Sequence, residues 1–180
     1  IKIISLRNLE KIYSIETLIK ATKIIVESNI DLQVDIYGTG SELSFLKNLI
    51  NQLSLNQIIK LKGRFDYNNL PSILKSYNMY VSTSTSDAGL SASTSEAMSV
   101  GLFPIISDNS ENSYWMSENS GLLFSTSSFK DLANKILFYN NLNFTKRKAI
   151  SLNARNKIVL FNSYENEMNK ILTIYKKYNE

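Results

Sequence analysis

The sequence contains no cysteine and no histidine. Without cysteine there is no disulfide framework, no thiolate metal site and no thiol nucleophile. Without histidine the chain lacks the commonest general base and metal ligand, so triads, zincins and most hydrolase schemes are excluded. No apolar run approaches the ~20 residues of a membrane-spanning helix. Nothing at the start reads as a leader peptide: Ile1 opens directly in a strand pattern, as though an upstream domain preceded it. A G-x-G-x-x-G after the first strand is also missing, which argues against a dinucleotide enzyme. No internal repeat and no linker interrupts the chain, so residues 1–180 read as a single domain.

What is present is an ordinary globular composition, with 43% hydrophobic and 20% charged residues, in a chain long enough for one sizeable core. The net charge of +4 comes from cations spread over helix faces, crowding only at Lys146-Arg147-Lys148 and Lys176-Lys177. There is no basic stripe with interleaved aromatics, so no nucleic-acid partner is expected. The basic tail could lie against an anionic membrane surface or simply be a solvated face.

Apolar periodicity gives the element order. Ile1 to Leu6 reads as a strand, and Ser14 with Thr17 opens a helix striped with Leu18, Ile19, Ala21, Ile24 and Ile25. Leu32–Tyr37 is the second strand, ending in Gly38-Thr39-Gly40-Ser41-Glu42 before a helix carrying Leu43, Leu46 and Ile50. Ile58–Leu61 is a third strand, followed by a short helix around Leu70 and Leu74. Met79–Ser82 and Phe103–Ser107 are strands flanking a helix, and Ser110–Ser117 reads as a short helix. Gly121–Phe124 is a last strand, Ser128 caps a helix through Leu137, and helices over about 146–161 and 164–178 finish the chain. Strands alternating with helices at these spacings predict an α/β, Rossmann-like, doubly wound fold. Its mostly parallel sheet has about six strands, with helices on both faces. A ligand of such a fold lies off the carboxyl ends of the strands.

The stretch Asp87–Gly101 holds the candidate chemistry. A strand, a small-residue loop and a helix containing Ala97, Met98 and Val100 offer backbone N–H groups to an anion. Glu96 falls about one turn into that helix on the loop side, where a carboxylate suits a hydroxyl-bearing ligand such as a ribose. The same residues also fit a plain polar turn in which Glu96 complements the helix dipole.

Six segments in order, on this element order, resemble the C-terminal domain of a retaining GT-B glycosyltransferase of the family 4 type (glycosyltransferase group 1). They are Arg7–Lys11, Ile36–Glu42, Leu61–Gly63, Ser95–Gly101, Ser107–Asn112 and Asn119–Leu123, and the likeness runs over essentially the whole chain. The resemblance implies the nucleotide-sugar half of a two-domain enzyme, with a UDP-sugar donor here and the acceptor held by an N-terminal domain. It implies transfer with retained configuration to a polysaccharide, lipopolysaccharide or lipid-linked acceptor, in the cytoplasm or at the inner membrane face. No metal or other cofactor is implied, because basic side chains and a helix N-terminus neutralise the leaving diphosphate. By position, Glu96 matches the glutamate that holds the ribose, and Gly89, Leu90 and Ser91 the loop approaching the phosphates and sugar. Gly38 falls in the second segment, and Arg64 and Phe65 match the place where the base is contacted. Residues 141–180 are expected to form helices that pack back on the domain.

Two departures from the family pattern mark this chain. In E-x7-E the first acid would stand at Ala88, and the nearest acid is Asp87. Asn8 and Tyr13 align with the usual phosphate-binding Arg and Lys, leaving Arg7 and Lys11 as neighbouring substitutes. Arg7, Lys11 and Asp87 are therefore the expected catalytic residues, with Arg7 turning from the end of the first strand toward Gly89–Ser91. The altered positions also motivate a degenerate GT-B domain that binds nucleotide or a partner protein without catalysis. A plain structural reading of the same residues pairs Arg7 with Glu10 and leaves Lys11 a solvated loop lysine. A GT-B epimerase shares the architecture but uses a catalytic histidine that is absent.

Overall fold

A computed structural model describes residues 1–178. Its strands are β1 (Lys2–Leu6), β2 (Gln33–Tyr37), β3 (Ile59–Gly63), β4 (Met79–Ser82), β5 (Phe103–Asp108) and β6 (Leu122–Ser125). The helices are α1 (Ile15–Glu27), α2 (Leu43–Gln52), α3 (Leu70–Leu74), α4 (Ala92–Ser99), α5 (Asn112–Trp115), α6 (Phe129–Asn141), α7 (Phe144–Phe161) and α8 (Tyr164–Tyr178). Two single 3-10 turns, Lys11–Tyr13 and Tyr67–Asn69, carry no apolar period and are not visible in the sequence.

All six strands are parallel, in the order β3-β2-β1-β4-β5-β6. A parallel sheet in a doubly wound fold is covered on both faces, so successive strand residues serve opposite cores. Ile3, Val34, Ile36, Val81 and Ile105 face one core with Leu18, Ile25, Leu46, Ile50, Leu132 and Ile136 of α1, α2 and α6. Ile4, Leu6, Tyr80 and Ile106 face the other, with Leu70, Leu74, Ala97, Met98, Ala154 and Ile158 of α3, α4 and α7.

Within the segment 141–180 expected to pack back on the domain, the described residues, 141–178, divide at Asn162. Helix α7 buries Ile150, Ala154 and Ile158, one residue per turn. Helix α8 buries none of its residues. No helix among the described residues is long and apolar enough to cross a membrane.

Candidate functional site

Strand order reverses between β1 and β4, so the loops leaving their carboxyl ends diverge and open a crevice there. Backbone of the first loop is fastened to the fourth: Thr83 Oγ1 donates to the Tyr13 carbonyl (2.7 Å) and the Thr85 N–H to the Ile12 carbonyl (2.8 Å). Arg7 leaves β1 at this point. Its Nε donates to Ser82 Oγ (3.0 Å), its Nη2 to Asp87 Oδ2 (2.7 Å), and its guanidinium lies 5.2 Å from the Tyr13 ring centroid. Arg7 and Asp87 are 9% and 10% exposed, so this is a nearly buried ion pair with hydrogen bonds on both arms of the fork.

The second wall is made by close backbone contact. Leu9 N–H donates to the Thr39 carbonyl (3.0 Å) and Glu42 N–H to the Leu9 carbonyl (2.8 Å). A Cβ on Gly38 would sit 2.2 Å from the Arg7 carbonyl oxygen, and one on Gly40 2.3 Å from that of Leu9. Only glycine lets the Gly38–Gly40 segment lie this near the first loop. Glu10 closes it by accepting from Ser41 N–H (3.0 Å) and Oγ (2.5 Å), which holds the Glu10 carboxyl below the usual carboxylate range.

Helix α4 forms the third wall. Ser91 caps it, its Oγ accepting from the Thr94 N–H (3.3 Å), while Ser93 Oγ meets Tyr80 Oη at 2.8 Å. The N–H groups of Gly89, Leu90 and Ser91 find no acceptor among the described residues. Gly89 has φ +82°, and a Cβ there would face Glu111 Oε2 at 3.9 Å. One turn into α4, Glu96 accepts a hydrogen bond from the Tyr67 hydroxyl. That bond, and then the nearby negative charge, raises the Tyr67 phenol above its ordinary value. Tyr67 stacks on Phe65 (centroids 6.5 Å apart, planes at 23°), and Phe65 meets Tyr37 edge-on at 5.7 Å.

These walls enclose a cleft of about 550 Å³, lined among others by Arg7, Gly38, Arg64, Phe65, Ser93 and Glu96. Its size suits a small polar ligand. Arg64 is exposed on its rim. Asp87 is brought to the crevice by Arg7, and Leu90 packs against the second core. Lys11 is not brought in: it is exposed and lines a separate depression with Ser14, Glu16 and Phe45. A cavity of about 720 Å³ lies instead along β6, α6 and α7, away from the strand-order reversal. Tyr67 and Ser82 are the site residues that sequence reasoning missed, while Glu111 falls in the Ser107–Asn112 segment without a role assigned to it. For Tyr67 the available signal was an aromatic in the polar stretch just beyond Gly63.

The described likenesses to known proteins agree with this architecture. The family described as glycosyl transferases group 1 matches residues 1–157. The GtfA subunit of the UDP-N-acetylglucosamine–peptide N-acetylglucosaminyltransferase from Limosilactobacillus reuteri subsp. suis is 40% identical over 88 residues, 49% of this chain and 16% of that protein. Its Streptococcus agalactiae counterpart is 39% identical over 92 residues, 51% and 16% of the two chains. The chain thus matches about a sixth of the length of these relatives. Among solved structures, pneumococcal O-GlcNAc transferase GtfA with UDP and GlcNAc superposes with TM-score 0.83 at 25% identity, over 99% of this chain and 36% of that one. A complex of S. aureus TarM containing UDP gives TM-score 0.86 at 23% identity, over 97% and 35%, a likeness of fold. With a family match over most of its length and a GT-B-like sheet carrying the matching loops, the chain belongs to the glycosyl transferases group 1 family.

Proposed function

We propose that this chain is the donor-binding domain of a retaining, metal-independent glycosyltransferase that takes a UDP-sugar, with UDP-N-acetylglucosamine the first candidate. The reading is carried by one arrangement: the open amides of Gly89–Ser91 lead into α4 and the carboxylate of Glu96 stands one turn further along it, beside the strand-order reversal. Amides suit a diphosphate and a carboxylate suits ribose hydroxyls. Arg7 supplies the fixed cation behind the amides and Arg64 a free one at the rim, so neutralisation of a leaving diphosphate is assigned to side chains. Phe65, backed by Tyr37, offers an aromatic surface for the base.

The acceptor belongs to the domain that the longer relatives contribute. Relatives named for transfer to peptide favour a peptide hydroxyl over the polysaccharide, lipopolysaccharide or lipid-linked acceptors that the family resemblance implies. A cytoplasmic site of action, with the basic tail near the inner membrane face, completes the reading.

Thermal shift with UDP, GDP and ADP at millimolar concentration tests it. Ligand at ~100 times its Kd stabilises by roughly 2.7 kcal/mol, and UDP is expected to give the largest shift. No shift with any of the three would overturn the proposal. A second reading, nucleotide binding without transfer, is favoured by the engagement of Arg7 with Asp87 and by the position of Lys11 outside the cleft. Turnover of UDP-N-acetylglucosamine by the full-length protein separates the two.

A further inference from the structure

Resting on the donor-site reading above, we propose that Tyr67 is an internal competitor for the donor's ribose. Its phenol occupies the Glu96 carboxylate while the cleft is empty and leaves when a nucleoside diphosphate enters. Three observations carry this. First, Glu96 is the carboxylate that α4 contributes to the cleft, and its Oε1 is taken by the Tyr67 hydroxyl, a donor of the same kind as a ribose hydroxyl. Second, Tyr67 is 66% exposed and buries no core surface, so releasing it leaves both cores intact. Third, its turn is separately fixed: Asp66 caps it through the Asn68 N–H (3.0 Å), and Leu70 just beyond is buried. The side chain can therefore swing while the backbone stays.

With its hydroxyl on Glu96, the Tyr67 ring stacks on Phe65 at the edge of the cleft. The cost of displacement appears as a reduced apparent affinity, Kd divided by the fraction of molecules with Glu96 free. A contact occupied in most molecules weakens binding about three- to tenfold by that relation.

Calorimetric titration of the chain with UDP and with inorganic pyrophosphate, for wild type and Tyr67→Phe, decides the matter. Tyr67→Phe keeps the ring and removes only the competing hydroxyl. UDP should bind it about three- to tenfold tighter, with unchanged melting temperature. Pyrophosphate, which has no ribose, should bind both proteins equally. Equal or weaker UDP binding by Tyr67→Phe overturns the competitor role alone, as does a matching gain for pyrophosphate. If neither protein binds UDP, the donor-site reading falls and takes this inference with it.

Discussion

Arg7 is held from three sides, by Ser82, Asp87 and the Tyr13 ring, in a site that water barely reaches. Removing one member of such a pair strands a charge in low dielectric, which makes loss of the partner far worse than its presence is beneficial. Asp87→Ala should therefore destabilise the fold by about 3 kcal/mol, read as a lower urea midpoint at unchanged slope. Lys11→Ala should stay within about 0.5 kcal/mol of wild type by the same measurement, because Lys11 is exposed beyond the cleft. The one-residue displacement of the acid from Ala88 to Asp87 was visible in the sequence, but its meaning was not. Only the fold shows that an acid at this position reaches Arg7, 80 positions away. Tyr67 gives a pH signature as well. Glu96 favours the protonated phenol, so that contact is complete below the ordinary tyrosine value of 10.0 and is lost as pH rises through the raised one. In an ultraviolet difference titration, Glu96→Gln should bring one tyrosine ionisation to lower pH.

At the scale of elements, most of the architecture was legible because helices of ten or more residues and buried strands each carry their own period. The sequence places β4 at Met79–Ser82 and the structure agrees. The expected Ser110–Ser117 helix shrinks to Asn112–Trp115, since Ser110 takes a left-handed φ of +47° before it and Met116 is extended after it. The tight requirement on the Gly38–Gly40 turn is the first loop passing over it. Two substitutions separate space from conformation. Gly101 has φ +83° with open space around its Cβ position, so Gly101→Ala should cost about 1 kcal/mol of left-handed strain. At Gly38 the added methyl meets the Arg7 carbonyl, and Gly38→Ala should cost roughly 3 kcal/mol or more. Denaturant midpoints of the two variants provide the comparison.

Across the whole molecule, the two terminal helices make opposite contributions. Ile158→Ala in α7 removes a buried side chain beneath α4 and should cost about 2–3 kcal/mol. Deleting residues 163–180 should leave the denaturant midpoint almost unchanged, because α8 buries none of its residues. Tyr164, Met168, Ile171, Tyr175 and Tyr178 nevertheless recur at helical spacing along α8, a stripe that periodicity alone reads as a packed face. The stitching of Thr83 and Thr85 to the first loop has a mechanical corollary. The crevice resembles a bench vice whose rear jaw, comprising the β1 and β4 loops, is cast into the frame. Whatever seats there is gauged against a fixed face bearing Arg7, and amide exchange at Thr85 should be much slower than at Asn68.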